Sequence, residues 1–147
     1  MTRVLVTGTA GFIGYHLARA LLAEGHPVQG FDAMTDYYDV SLKRRRHAMV
    51  LRLPGFAAAE GRLEDRAAFD PVADAFAPEV IVHLAAQAGV RHSLEAPLPY
   101  LASNVIGTLS VLEAARRHRV RPLLLASTSP LAGAAAAMPF AETQKAD

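Results

Sequence analysis

The chain has 147 residues, 52% of them hydrophobic and 20% charged, with 15 basic side chains against 14 acidic ones and no cysteine. That leaves room for one core of ordinary size, gives no electrostatic reason to expect nucleic acid or an anionic membrane surface as a partner, and excludes disulfide scaffolds, thiol nucleophiles and cysteine zinc sites. No apolar run approaches the ~20 residues of a membrane span and the start is too short in apolar residues for a signal peptide, so the expectation is a soluble, cytoplasmic, single-domain protein.

The predicted elements alternate short apolar runs with segments of helical period. Arg3–Thr7 (RVLVT) reads as a buried strand, continuous in apolar and β-branched residues. Ile13, Leu17, Ala20 and Leu21 recur at helical spacing, and Gly25 stops that helix. Val28–Asp32 (VQGFD) is a second strand. Ser41 is the expected N-cap of a helix over Leu42–Leu53, which Pro54-Gly55 ends. Phe56–Glu60 reads as a weak third strand. Pro71 should not sit inside a helix over Arg66–Phe76, so Asp70 and Pro71 are read as N-cap and first residue of a shorter one. Val80–Ala85 (VIVHLA) is the clearest strand. Leu101, Val105, Leu109, Leu112 and Ala115 form one stripe of a long helix ending near Arg119, and Pro122–Ser127 is a fifth apolar run. Strands apolar throughout and separated by helices predict an α/β fold, a doubly wound parallel sheet of Rossmann type with helices on both faces. The expected domain is residues 1–129, with a loop-like tail over 130–147.

One turn carries chemistry. Gly8-Thr9-Ala10-Gly11-Phe12-Ile13-Gly14 lies between the first strand and the first helix. There, Gly8 permits a sharp exit from the strand, Gly11 lets the backbone approach a pyrophosphate, and Gly14 lets helix and strand pack closely. The helix N-terminus supplies free N–H groups and the positive end of its dipole. The spacing is GxxGxxG, which by itself also fits a ligand-free tight turn; the strand before it and the helix after it point to a cofactor. Asp32 closes the second strand 18 residues after Gly14, close to the ~20 expected of the carboxylate that accepts adenosine ribose hydroxyls, and its charge favours NAD over NADP. His83, in an apolar strand without a second ligand at metal spacing, reads as a core histidine, so no metal is expected. Lys43-Arg44-Arg45-Arg46 reads as a solvated helix face. Tyr37 and Tyr38 either cover the sheet or pack over the cleft.

With these residues in place, the chain resembles the extended short-chain dehydrogenase/reductase family, the NAD-dependent epimerases and dehydratases of nucleotide sugars. The TGxxGFIG turn, His83-Leu84-Ala85-Ala86, Asn104-Val105-Ile106-Gly107-Thr108 and Leu125-Ala126-Ser127-Thr128-Ser129 come in the family's order. Asp36–Lys43 and Ala85–Ser93 resemble the family's UDP-glucuronate 4-epimerases, which interconvert UDP-glucuronate and UDP-galacturonate through a 4-keto intermediate. The resemblance implies that Gly8, Gly11, Phe12, Ile13 and Gly14 hold the NAD pyrophosphate and Asp32 the ribose. It implies that Leu63 lies along the adenine, that Leu84, Ala85, Ala86 and Gln87 line the cofactor, and that Asn104 supports the nicotinamide side. It makes Thr128 the catalytic Ser/Thr that hydrogen-bonds the sugar 4-hydroxyl, with Ser129 beside it, and offers Arg91 to a substrate carboxylate or phosphate. A nucleotide-sugar substrate and a homodimer through the helix over 101–119 are the implied partners.

The sequence departs from the family pattern at several positions. The family's general base is the tyrosine of a Tyr-x-x-x-Lys pair a few residues beyond the Ser/Thr, and no tyrosine follows Tyr100 here; the expectation is therefore an N-terminal portion, inactive alone. Arg62 stands where the family usually has an aspartate that accepts from the adenine amino group, and a guanidinium only donates. Pro130-Leu131-Ala132-Gly133 replaces a segment with an aromatic. Two other readings stay open: a nucleotide-sugar 4,6-dehydratase portion, which Ser129 and Pro130 after Thr128 disfavour, and a non-catalytic dinucleotide-sensing module.

Overall fold

A computed structural model describes residues 1–37 and 39–127. Tyr38, Thr128, Ser129 and the expected tail over 130–147 lie outside the described residues. Five strands, β1 (Val4–Thr7), β2 (Val28–Asp32), β3 (Phe56–Glu60), β4 (Val80–His83) and β5 (Leu123–Leu125), form one sheet in the order β3-β2-β1-β4-β5. Every pairing is parallel, as the unbroken apolar runs predict. Strand β1 lies in the middle, with Val4 opposite Val28 on one side and Val80 on the other. The order reverses on either side of β1, and the crevice at such a switch point is where ligands of doubly wound sheets bind.

The two sides of β1 feed two cores. Val4 and Val6 pack with Tyr15, Ala18, Val28 and Val50, which brings α1 (Phe12–Ala23) and α2 (Val40–Val50) onto one face. Leu5 packs with Phe31, Phe69, Ile81 and Val111, which brings α3 (Arg66–Phe76) and α6 (Thr108–His118) onto the other. The period-2 alternation of a strand thus builds both layers from one four-residue run.

Several expectations need correction. Helix α2 is capped by Asp39, not Ser41: the Asp39 carboxylate accepts the Ser41 N–H at 2.8 Å, and the hydrogen bonds from Ser41 hold that carboxyl below its ordinary value. Helix α3 runs unbroken through Pro71, capped by Asp65, which accepts the Ala67 N–H at 3.0 Å. Asp70 is not free to cap, because Arg66 and Arg117 both bind its carboxylate. The missing Pro71 N–H costs one helical hydrogen bond, and the burial of Phe69 and Ala73 two residues to either side offsets it. Strand β4 ends at His83, so Leu84–Gly89 is irregular chain.

The long helix differs most. Two short helices, α4 (Val90–Glu95) and α5 (Pro97–Tyr100), precede a π-helical stretch over Leu101–Gly107 that runs into α6. The apolar stripe of Leu101, Val105, Leu109 and Leu112 faces away from the core, at 54%, 60%, 56% and 44% exposed, and Ala115 alone of that set is buried. Gly107, Ser110, Val111, Ala114 and Ala115 turn inward instead. Small residues are needed there: a Cβ on Gly107 would lie 3.0 Å from the Leu63 Cβ, so a leucine stripe would not fit the gap.

Candidate functional site

The carboxyl ends of β1, β2 and β4 converge on the glycine turn. Gly8 leaves β1 with φ +78°, a left-handed conformation that disfavours side chains. Gly11 is the N-cap of α1 and offers no side chain to its first turn, so the leading N–H groups of α1 point at the turn without an internal acceptor. Gly14 packs against the turn it closes: a Cβ there would lie 2.8 Å from the Gly8 carbonyl carbon and 2.9 Å from the Thr9 Cα. Phe12 and Ile13, beside these glycines, are exposed. A cleft of about 430 Å³ opens here between Gly8, Gly11 and Gly14 on one wall and Lys43 and Arg46 of α2 on the other. The Arg46 guanidinium stands 5.8 Å from the Phe12 ring. Two cations and a helix N-terminus facing one cleft suit a phosphate group.

Asp32, at the end of β2, is 8% exposed. Its Oδ2 accepts the Ala10 N–H and its Oδ1 the Met34 N–H, both at 2.9 Å. The carboxylate thus braces the glycine turn, a task the spacing argument did not foresee, and each oxygen keeps a further lone pair. It borders a cleft of about 150 Å³ together with Lys43, Arg62, Leu63 and Glu64. Leu63 is buried in the core beneath this cleft. Arg62 pairs with Glu64 at 3.2 Å at its mouth, which puts a carboxylate acceptor two residues from the donor-only guanidinium. Lys43 borders both clefts and donates to the Thr35 carbonyl oxygen at 2.7 Å.

Leu84, Ala85, Ala86 and Gln87 form the wall between the 150 Å³ cleft and a third of about 650 Å³, which Asn104 and Ser127 also line. The Asn104 amide grips the Gln87 peptide at both ends, its Oδ1 accepting the N–H at 2.7 Å and its Nδ2 donating to the carbonyl at 2.9 Å. Arg91 is exposed on α4 at the rim. Tyr37 reaches this rim from the loop after β2, its ring 5.3 Å from that of His92. The Tyr100 hydroxyl donates to the carbonyl oxygens of Ala88 and Gly89. All twelve residues expected to contact a cofactor, Gly8, Gly11, Phe12, Ile13, Gly14, Asp32, Leu63, Leu84, Ala85, Ala86, Gln87 and Asn104, border one of these three clefts on the same edge of the sheet. Thr128 and Ser129 lie outside the described residues, directly after Ser127 in the chain.

His83 closes β4, is 3% exposed, and is the buried histidine the sequence predicts. Burial pushes its imidazole down to about 4, so the ring is neutral at neutral pH. Among the described residues no cluster of His, Asp or Glu could hold a metal ion, and no helix is long and apolar enough to cross a membrane.

The model of the NAD dependent epimerase/dehydratase family matches residues 4–147. The chain is 56% identical over 145 residues to the probable UDP-glucuronate 4-epimerase of Rhizobium meliloti, covering 99% of this chain and 42% of that protein. It is 40% identical to UDP-glucuronate 4-epimerase 3 of Arabidopsis thaliana, covering 98% of this chain and 34% of the relative. Among solved structures, the UDP-glucose 4-epimerase of Stenotrophomonas maltophila with bound NAD and formylated UDP-arabinopyranose superposes with a TM-score of 0.82 at 30% identity, over 100% of this chain and 43% of that one. The Bifidobacterium longum UDP-glucose 4-epimerase in complex with NAD+ and UDP gives 0.82 at 27% identity, over 99% and 43%. The chain therefore spans less than half the length of the relatives it matches.

Proposed function

The chain belongs to the NAD dependent epimerase/dehydratase family, and from that premise we propose that it is the NAD-binding portion of a nucleotide-sugar 4-epimerase acting between UDP-glucuronate and UDP-galacturonate. The observation that carries the reading is the uncapped N-terminus of α1, set in a glycine cradle that a Cβ would fill and braced by Asp32 at 2.9 Å. Those residues fit a dinucleotide. Gly8, Gly11, Phe12, Ile13 and Gly14 would hold the pyrophosphate with Lys43 and Arg46 facing it, Asp32 would accept the ribose hydroxyls, and Leu63 with the Arg62–Glu64 pair would border the adenine. Leu84–Gln87, pinned by Asn104, would form the wall on the nicotinamide side. Bound there, NAD supplies reversible hydride transfer to and from a sugar carbon.

The substrate side rests on the names of the relatives and on the 650 Å³ cleft that leads to Ser127. Thr128 and Ser129, next in the chain, would hydrogen-bond the sugar 4-hydroxyl, and the Arg91 guanidinium would meet the uronate carboxylate or a phosphate. None of the four tyrosines, Tyr15, Tyr37, Tyr38 and Tyr100, has a lysine four residues on, so these residues do not supply the tyrosinate base of the family. Residues 1–129 would form the cofactor domain, and a cytoplasmic location suits a user of NAD without cysteines.

The test is ligand-induced stabilisation of the purified chain. NAD is expected to raise the melting temperature, as a ligand at 100 times its Kd adds about 2.7 kcal/mol. NADP is expected to act more weakly, and UDP-glucuronate is expected to shift the melt without being epimerised. No shift with NAD refutes the cofactor reading; no shift with the UDP-sugar favours the dinucleotide sensor; epimerisation by this chain alone refutes the need for an external base.

We also propose that the exposed stripe of Leu101, Val105, Leu109 and Leu112 is the surface through which a second copy docks, an apolar patch of the kind that marks an interface. Sedimentation is expected to show a dimer for the native chain and a monomer for Leu109→Glu. A native chain that sediments as a monomer overturns this assignment.

A further inference from the structure

The wall between the cofactor clefts, Leu84–Gln87, belongs to no helix or strand, yet its backbone is held at both ends by side chains. At one end the Leu84 and Ala85 N–H groups both donate to the Thr7 Oγ1, each at 3.2 Å. At the other the Asn104 amide grips the Gln87 peptide. Between the two anchors stands His83, whose Nδ1 lies 2.7 Å from the Thr7 Oγ1 and whose Nε2 lies 3.0 Å from the Thr108 Oγ1.

The donor inventory gives this chain of contacts a direction. A threonine hydroxyl has two acceptor sites and one hydrogen. On Thr7 the two N–H donors occupy the acceptor sites, so the hydroxyl hydrogen is left for His83 Nδ1, which must accept it. A neutral imidazole that accepts at Nδ1 carries its hydrogen on Nε2. That hydrogen goes to the Thr108 Oγ1, and the Thr108 hydroxyl in turn donates to the Asn104 carbonyl oxygen at 2.8 Å. Reversing any link leaves two hydrogens, or two lone pairs, facing each other in a buried place, at the cost of an unmade hydrogen bond.

We propose that His83 is a positioning residue of the cofactor site: as the Nε2–H tautomer it ties the Thr7 anchor to the Thr108–Asn104 anchor and so fixes the Leu84–Gln87 wall. The role explains how the end of β4 is tied to the first residue of α6 through polar side chains. It also explains a polar ring at the end of an otherwise apolar strand. It rests on the NAD reading only for its consequence in binding, since the geometry of the wall can be read without ligand.

Three measurements test it. Nitrogen-15 NMR of the imidazole at neutral pH is expected to show His83 protonated on Nε2 alone; a hydrogen on Nδ1, or an imidazolium, overturns the proposal. Amide hydrogen exchange at Gln87 is expected to accelerate about tenfold in Thr108→Val, which removes the His83 acceptor at constant shape, and to return to the native rate in Thr108→Ser. His83→Phe is expected to reproduce the Thr108→Val result; native Gln87 exchange in either variant, or an equal acceleration of the β1 amides, overturns the proposal. If His83→Phe does not fold, the tautomer and the threonine pair still decide. NAD affinity is expected to weaken about tenfold in Thr108→Val. A native chain that binds no NAD refutes the cofactor reading, and the tautomer and exchange results then judge the His83 role separately.

Discussion

Gly14→Ala is expected to abolish NAD binding and to destabilise the fold by roughly 4 kcal/mol, beyond the ~1–3 kcal/mol usual for one excess methyl in a packed interior. The new Cβ would fall on the Gly8 carbonyl and within 2.9 Å of the Thr9 Cα, so the obstacle is backbone and not the end of a flexible side chain. Relief requires the glycine turn to move away from α1, yet the turn is held by the Gly8 N–H on the Phe31 carbonyl at 2.8 Å and by the Ala10 N–H on Asp32. The conformation that would cradle the phosphates is therefore the one the methyl forbids. Gly25→Ala is the control: a Cβ there meets nothing within 4 Å and is opposed only by a φ of +81°, a cost of about 1–2 kcal/mol with NAD affinity intact. Urea unfolding and calorimetric titration with NAD read both effects. Undiminished NAD affinity in Gly14→Ala would refute the assignment of the turn.

Asp32→Ala is expected to cost about 4 kcal/mol of stability, from two buried N–H groups left unpaired at ~1–3 kcal/mol each and the charge-assisted character of both bonds. The groups stranded are the Ala10 and Met34 N–H. NAD affinity should fall about a hundredfold, since the same carboxylate would be the ribose acceptor. Asp32→Asn separates the two tasks. Its carbonyl oxygen keeps one of the backbone bonds, so it should be the more stable variant, while the loss of charge should narrow the preference for NAD over NADP. A carboxylate that merely caps the turn would leave that preference unchanged in Asp32→Asn.

Much of this molecule is legible in its sequence for local reasons. Val4–Thr7 and Val80–His83 are strands because they are apolar on both faces, which only a sheet covered on both sides accommodates. The glycine turn is legible because its three glycines meet constraints lying within seven residues of one another, and Asp32 because the length of one helix and one strand fixes its distance along the chain. The misread places are those where a distant partner decides. Asp70 would cap a helix by its spacing to Pro71, but Arg117 of α6 engages it from 47 residues away, and Asp65 caps instead. The leucines over 101–112 satisfy helical period and still face outward, because the gap beside Leu63 admits only a glycine at 107.

Sequence alone therefore determined the fold class, the glycine turn between β1 and α1 and the family, all of which depend on residues near one another in the chain or on their order. Tertiary structure decided which helix face is buried, that Asp32 braces the glycine turn, and that Thr7, His83, Thr108 and Asn104 act together on the Leu84–Gln87 wall. Thr7 and His83 are 76 residues apart, and His83 and Thr108 a further 25. A hydrogen bond needs its partners within about 3 Å with donor opposed to acceptor, and no spacing rule along a chain encodes which distant groups a parallel sheet will bring to that distance.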